Sequence, residues 1–176
     1  MFFAATCPLG RLVLKELNVT GHMNKKGKQA KNVDSSFLIK SGVFREVYRA
    51  LKHLCKPNQT PFFILDRAPV HTCKATCAHL DSIFTSDGWM FQAAKMPDSN
   101  DGDVGVFPFM KREVAKLGGA TTRAEIVTCV KEAWTHVTPK VCKNIRARVM
   151  RNLKWVAAND GKNYYDESMT KAEFGL

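Results

Sequence analysis

Residues 61–66 read PFFILD, an uninterrupted apolar run that ends in a carboxylate. Such a run is typical of a buried strand with both faces covered. Residues 88–94, GWMFQAA, predict a second strand, and a helix is predicted between the two over about 71–84. Because strand, helix and strand follow one another, this stretch predicts the parallel part of an α/β sheet.

The residues before this stretch predict an antiparallel hairpin and one amphipathic helix. Residues 2–7 and 11–19 are strand-forming segments on either side of Pro8-Leu9-Gly10, a turn signal. Residues 21–36 are polar and predict a loop. Apolar side chains at three- and four-residue steps then predict a helix over 41–55. The predicted sheet is therefore partly antiparallel and partly parallel.

The residues after it predict three helices and a tail. The first covers 107–117, the second begins at a Thr122–Glu125 capping box, and the third runs from Pro139 to about 156. The buried stripe of the second helix is predicted to consist of Ile126, Val130 and Trp134. We expect one domain over 1–156, with 157–176 as a polar, flexible C-terminal tail.

Composition and charge narrow the class of protein. The 176 residues are 45% apolar and 24% charged, which excludes a largely disordered, collagen-like or membrane-embedded chain. No segment is long and apolar enough to predict a membrane helix or a signal peptide, so an intracellular, nuclear or otherwise non-secreted protein with six reduced cysteines is expected. The formal charge of +11 favours nucleic acid as partner over an anionic membrane, the alternative being an inert basic surface.

Two groups of residues have the chemistry of metal ligands. Asp66 follows the predicted buried strand, and Asp103 precedes the next helix; together they suit a hard divalent ion such as Mg²⁺, which supports phosphoryl transfer. The alternative for Asp66 is a helix N-cap. The second group is His71, Cys73, Cys77 and His79. Its spacing matches no standard zinc pattern, so we favour reduced thiols over zinc.

Both aspartates lie in segments that resemble a known family. Residues 63–72, FILDRAPVHT, resemble the D-x-A-P-x-H box around the second catalytic aspartate of mariner-like DNA transposases. Residues 96–107, MPDSNDGDVGVF, resemble their P-D-x-N-x-x-D box, whose last carboxylate is the third catalytic one. The helices after it are also similar, so the likeness covers most of residues 1–156.

The resemblance implies an RNase H-like mixed sheet with flanking helices, and DNA strand cleavage and transfer by two metal ions. It implies Asp66 and Asp103 as catalytic ligands of Mg²⁺ or Mn²⁺, weakly held, with His71 and Asn100 supporting the site. Arg67 departs from the pattern, because the family usually has Asn there. Met96 and Pro97 stand where a serine usually precedes the Pro-Asp pair.

The family's first catalytic aspartate, on a central strand ahead of the hairpin, has no counterpart here. The acids before residue 66 are Glu16, Asp34 and Glu46, and none closes an apolar strand. We therefore expect an N-terminally truncated domain that lacks this strand. Segments 2–7 and 61–66 then either pair directly or leave two open edges, which predicts marginal stability and no cleavage.

Basic residues, most of them outside these boxes, predict contacts with DNA phosphates, although a solvated charged face is the alternative. The predicted nucleic-acid-binding residues are Lys25, Lys26, Lys28, Arg67, Lys111, Lys140, Lys143, Arg151 and Lys154. The leading hypothesis is a DNA-binding remnant of a mariner-like transposase, with a homodimer possible and no small-molecule substrate. The alternatives are a non-catalytic DNA-binding regulatory protein derived from a transposon, and an intact metal-dependent nuclease.

Overall fold

The computed structural model describes residues 1–23, 27–29, 32–84, 88–92, 99–118 and 120–160. Within these residues helices pack around short strands in a mixed α/β fold. The elements are, in chain order, β1 Phe2–Cys7, β2 Gly10–Glu16, α1 Ser35–Lys40, α2 Val43–Leu54, β3 Phe63–Leu65, α3 Pro69–Thr72, α4 Lys74–Ile83, β4 Trp89–Phe91, a π-helical turn Gly102–Val106, α5 Phe107–Lys116, α6 Arg123–Thr135 and α7 Pro139–Ala158.

The strands form two separate pairs. β1 and β2 are antiparallel, with an irregularity in register between Ala5 and Thr6, and β3 is parallel to β4 with Phe63 opposite Trp89. Both predicted kinds of pairing are therefore confirmed. Among the described residues β1 does not pair with β3. The prediction that segments 2–7 and 61–66 pair directly is wrong. Within the described residues, β1 and β3 each have a strand partner on one edge only, as the other prediction expected.

Two apolar clusters lie against the hairpin and fix the helices around it. The first surrounds Phe44 of α2, which is fully buried and packs edge-on against Phe3 of β1 with ring centroids 5.9 Å apart. The second joins the π-helical turn, α5 and α7 through Val106, Met110 and Ile145, and Leu14 of β2 packs against it. The hairpin thus connects the two clusters, with α1, α2 and α4 on one and α5, α6 and α7 on the other.

Helix ends follow local capping chemistry. The predicted capping box is confirmed: the Thr122 hydroxyl accepts from the Glu125 N–H at 3.3 Å, and the Glu125 carboxylate accepts from the Thr122 N–H at 3.0 Å. Thr138 caps α7 in the same way, accepting from Val141 N–H at 3.3 Å. The helix ends at Ala158, two residues beyond the predicted end. Residues 161–176 of the predicted tail lie outside the described residues.

Several predicted details are wrong. The strand predicted over 61–66 covers only Phe63–Leu65, and one face is open, since Ile64 is 46% exposed. Ile126, predicted to be buried, is 44% exposed, because only the later turns of α6 pack on the second cluster. The predicted loop 21–36 contains the start of α1, which Asp34 caps by accepting from the Phe37 N–H at 2.8 Å.

Three other boundaries differ from the prediction. The second strand ends at Glu16 instead of Val19, and the helix predicted over 71–84 is divided into α3 and α4 at Cys73. The loop predicted over 97–104 includes the start of the π-helical turn, while residues 97–98 lie outside the described part. Within the described ranges no helix is long and apolar enough to cross a bilayer.

Candidate metal centre and basic surface

Asp66 directly follows β3, where its carboxylate organises the turn into α3. Its Oδ1 accepts from the Ala68 N–H at 2.9 Å and lies 2.6 Å from Nδ1 of His71. The hydrogen bond with His71 and that with the Ala68 N–H lower the pKa of Asp66, because both favour its charged form. Both contacts use the same oxygen. Among the described residues, the other oxygen, Oδ2, has no hydrogen-bond partner and remains available to a ligand.

Asp103 lies in the π-helical turn and is held by Asn100. The Asn100 amide donates to Oδ2 of Asp103 at 3.0 Å, and its own Oδ1 accepts from the Gly102 N–H at 2.8 Å. Burial and the negative charge of Asp66 raise the pKa of Asp103, and the Asn100 bond only partly offsets them. Asp66 is thus close enough for its charge to act on Asp103, although the two lie on separate elements.

The two carboxylates are therefore coupled electrostatically. The pKa of Asp66 is lowered and that of Asp103 is raised, and a cation near both would stabilise their charged forms. Their oxygens are hard donors of the kind that Mg²⁺ and Mn²⁺ accept. Among the described residues no group of three or more His, Cys, Asp or Glu side chains is placed to hold a metal. The donor set fits an ion that keeps most of its ligands as water.

Asp101, two residues before Asp103, is bonded to another element. Its Oδ1 accepts from Nη1 of Arg146 at 3.3 Å, which ties the turn to α7. Asp101 nevertheless lines the same groove as Asp66 and Asn100. Asp98 lies outside the described residues.

The His and Cys residues weighed as a zinc site have separate partners. His71 contacts Asp66, whereas the Cys73 thiol lies 3.3 Å from the Thr76 hydroxyl. This contact is the largest of several hydrogen bonds that together lower the pKa of Cys73 to about 7. His79 is packed near Phe44, with ring centroids 6.3 Å apart. All six cysteines are free thiols.

The side chain of Arg67, which was predicted to contact DNA, packs against the end of β4. Its Nε donates to the carbonyl of Gln92 at 2.9 Å, and the guanidinium lies 5.6 Å from the centre of the Phe91 ring. The side chain is still exposed at the surface. Its position therefore allows an outward contact but does not place its charge on Asp66.

The helix α7 carries the predicted basic face. Lys140, Lys143 and Lys154 are exposed, while Ile145 and Val149 are buried on the opposite side. Arg151 is half-buried and lines a groove of about 310 Å³ between α5 and α7. Lys111 and Lys28 are exposed on α5 and in the loop after β2. The predicted Lys25 and Lys26 lie outside the described residues.

Two arginines that sequence reasoning left out of the binding set line the groove between α5 and α7. Arg112 of α5 and Arg148 of α7 lie there with Arg151 and the apolar side chains of Pro108 and Phe109. Arg112 follows Lys111 in the sequence, which is the one local signal for it. The pairing of helix faces that brings the three guanidinium groups together is a tertiary feature, and periodicity within one helix does not reveal it.

Comparison with known proteins places this geometry in a known fold. No protein-family model and no curated protein matches the sequence. The Mos1 mariner transposase catalytic domain matches with a TM-score of 0.68 and 18% identity, over 90% of this chain and 72% of that chain. The same domain with Raltegravir and Mn gives 0.67 and 19%, over 90% and 74%.

A Mos1 mariner paired end complex with Mn matches with a TM-score of 0.66 and 17% identity. The match covers 93% of this chain but 44% of that chain, so the sequence spans less than half of the transposase in the complex. At this identity the likeness establishes architecture alone. The chain has the fold of the Mos1 mariner transposase catalytic domain, which confirms the RNase H-like α/β class predicted from its sequence.

Proposed function

We propose that this chain is a DNA-binding part of a mariner-like transposase catalytic domain that holds a divalent metal ion between Asp66 and Asp103. The observation that carries the proposal is the carboxylate pair itself. Two aspartates from distant segments are near enough for the charge of Asp66 to raise the pKa of Asp103, and each is oriented by its own polar neighbour, His71 or Asn100. They do so in the fold of a transposase domain that has been solved with Mn.

The chain's own residues have distinct roles in such a site. His71 holds Asp66 through Oδ1 and leaves Oδ2 to the ion, while Asn100 fixes the side chain of Asp103. A divalent ion bound there would supply activation of the attacking oxygen and stabilisation of the leaving one in phosphodiester chemistry. Because two carboxylates leave most coordination positions to water, binding is expected to be weak.

Metal binding is tested by isothermal titration with Mn²⁺ and, separately, Mg²⁺. We expect Asp66→Asn and Asp103→Asn each to abolish the binding, since each removes one of two charged ligands at nearly constant shape. The matched control is Glu132→Gln, an exposed acid on α6. If the double variant binds the ion as well as the parent, these residues are not the ligands.

DNA binding is assigned to the exposed face of α7 and to the arginine-lined groove beside it. Phosphate contacts supply affinity without sequence choice and make it depend steeply on salt. We expect duplex DNA to bind with a negative slope of log affinity against log salt. Changing Lys140, Lys143 and Lys154 to Glu should lower the affinity and make this slope shallower by about 0.9 for each phosphate that the variant no longer neutralises.

A matched triple variant controls for total charge. Lys56, Lys74 and Lys131 are also exposed, but they lie after α2, on α4 and on α6. Their reversal to Glu changes the net charge equally. If both triple variants lose the same affinity and the same salt slope, the effect is one of total charge, and α7 is a solvated face.

Cleavage separates the proposal from its alternatives. With two carboxylates at the described site, we expect no nicking of supercoiled plasmid in Mg²⁺ or Mn²⁺. Nicking that is lost in Asp66→Asn would favour an intact metal-dependent nuclease. DNA binding that persists with neither nicking nor metal binding would favour a non-catalytic regulatory protein.

A further inference from the structure

The groove of about 310 Å³ between α5 and α7 is lined by arginines. Arg112, Arg148 and Arg151 lie in it, whereas none of the lysines that the structure describes on α5 and α7 does. Guanidinium groups are planar and more weakly hydrated than ammonium groups, so they bind phosphate through two parallel hydrogen bonds and also stack on flat rings. The groove therefore differs in its chemistry from the exposed lysine face of α7.

Apolar side chains line the same groove. Pro108 and Phe109 come from α5, and Val141 and Ile145 come from α7, where Ile145 is 9% exposed. On α7, Val141, Ile145 and Arg148 follow one another at steps of four and three residues, which places them on one face of the helix. Apolar surface favours binding only where the ligand also has apolar surface to bury. The ligand is therefore expected to have an apolar part beside its negative charge.

A nucleotide combines the kinds of contact that this groove offers. Its phosphate suits the guanidinium groups, and the flat faces of its base suit the ring of Phe109. The polar edge of the base suits the amide of Asn144, which both donates and accepts hydrogen bonds. In a duplex the bases are stacked on one another, so only an unpaired nucleotide can place its base in the groove. The volume lies at the lower end of the roughly 300–1,000 Å³ of ligand pockets, so a ligand as small as one nucleotide is expected.

The charge around the groove favours a nucleic-acid strand over a short acidic peptide. The exposed Lys140 precedes the α7 residues of the groove, and the exposed Lys154 follows them. Positive charge thus continues along the helix in both directions beyond the groove. A basic surface that follows the phosphate backbone, together with an aromatic ring for a base, is the usual means of binding single strands.

We propose that the groove between α5 and α7 binds a nucleotide of an unpaired DNA strand, with its phosphate on the arginines and its base against Phe109. The inference rests on the DNA binding of the proposed function and adds an unpaired strand to the duplex as a ligand. It does not depend on the metal ion.

The test compares fluorescein-labelled oligothymidylate with a labelled duplex of the same length by fluorescence anisotropy at one salt concentration. Both should bind the 176-residue chain saturably. No duplex binding would overturn the proposed function and with it this inference, whereas duplex binding without saturable oligothymidylate binding would overturn this inference alone. A labelled peptide of alternating glutamate and tyrosine that binds more tightly than oligothymidylate would make an acidic protein segment the occupant, and would also overturn it.

A variant of Phe109 tests the contact with the base. Phe109→Leu keeps an apolar side chain but removes the ring, so we expect it to weaken oligothymidylate binding by about tenfold and duplex binding by less. The matched control is Phe62→Leu, because Phe62 is 52% exposed and lies outside the groove. The control should leave both affinities unchanged. Equal losses for the two ligands in Phe109→Leu would overturn the proposal.

Arginine variants provide a second test, which holds even if Phe109→Leu does not fold. Arg112→Lys combined with Arg151→Lys keeps both charges but removes two planar guanidinium groups. Oligothymidylate binding should therefore weaken by about tenfold, while its salt dependence, which follows charge, should stay the same. The control changes Arg45 and Arg49, which are exposed on α2, to Lys. If the groove variant binds oligothymidylate as tightly as this control, the groove does not hold the strand and the proposal is overturned.

Discussion

Replacing Gly105 by Ala should destabilise the chain by a predictable steric conflict. Gly105 is buried in the π-helical turn, and a Cβ added there would lie 2.4 Å from Cγ1, 2.6 Å from Cγ2 and 2.9 Å from Cδ1 of Ile145. Carbon atoms normally approach to about 3.5–4.0 Å. Overpacking of this kind costs about 1–3 kcal/mol, from which the better helix propensity of Ala recovers up to about 1 kcal/mol.

The assay is thermal unfolding followed by circular dichroism. For a chain of this length each kcal/mol lowers Tm by about 2–4 °C, so Gly105→Ala should lower it measurably. The control is the same change in an Ile145→Ala background, which removes all three conflicting atoms. There the new methyl group should be neutral or stabilising, even though Ile145→Ala alone costs about 2–5 kcal/mol.

The cost of Gly105→Ala is compared in the parent and in two backgrounds changed at Ile145. Contacting residues usually show coupling free energies of about 0.5–3 kcal/mol. Ile145→Val, which removes only Cδ1, should give partial relief and keeps the test valid if the alanine variant does not fold. An identical cost of Gly105→Ala in all three backgrounds would refute the steric explanation and the close approach of the turn to α7.

Three further outcomes are expected. Thr122→Ala should cost about 1 kcal/mol by removing the cap of α6, while Thr128→Ala within the same helix should be nearly neutral in urea unfolding. The hydrogen bond from the Phe37 N–H is the main cause that lowers the pKa of Asp34. The charged carboxylate therefore stabilises the fold above its unfolded pKa, and this stabilisation is lost as the pH falls through the folded pKa. In urea unfolding, Asp34→Ser should therefore lose less stability than the parent below about pH 4. Cys73, with its pKa lowered to about 7, should react with iodoacetamide at pH 7 before Cys142, whose pKa burial raises, and equal rates by mass spectrometry would contradict this.

The parts of the fold that sequence predicted well are those set by short-range rules. The capping box at Thr122 and the start of α7 at Pro139 depend on contacts within four residues, so the sequence contains all the information. Asp34 caps α1 by the same rule. It escaped prediction because the helix is only six residues long and follows a run of lysines and glycines.

The wrong predictions concern how one helix or strand packs against another. The run PFFILD predicts a strand covered on both faces, but Ile64 is 46% exposed. Whether the outer face of a strand is covered depends on the packing of other elements, which the local sequence does not reveal. The same holds for the site. Residue type and position in the sequence predicted Asp66 and Asp103 as candidate ligands. Their electrostatic interaction depends on the packing of β3 near the π-helical turn, which the sequence does not reveal.

The helix α7 links the metal site to the basic surface. Ile145 packs against Gly105 of the turn that carries Asp103, and Arg146 is bonded to Asp101 at 3.3 Å. The same helix exposes Lys143 on its other side. Because a packed helix moves as a rigid body, the spacing between the carboxylate and the lysine is fixed by α7 and not by a loop. In the proposed function, α7 would therefore hold bound DNA at a defined position relative to Asp103, even though a site with two carboxylates is expected not to cleave it.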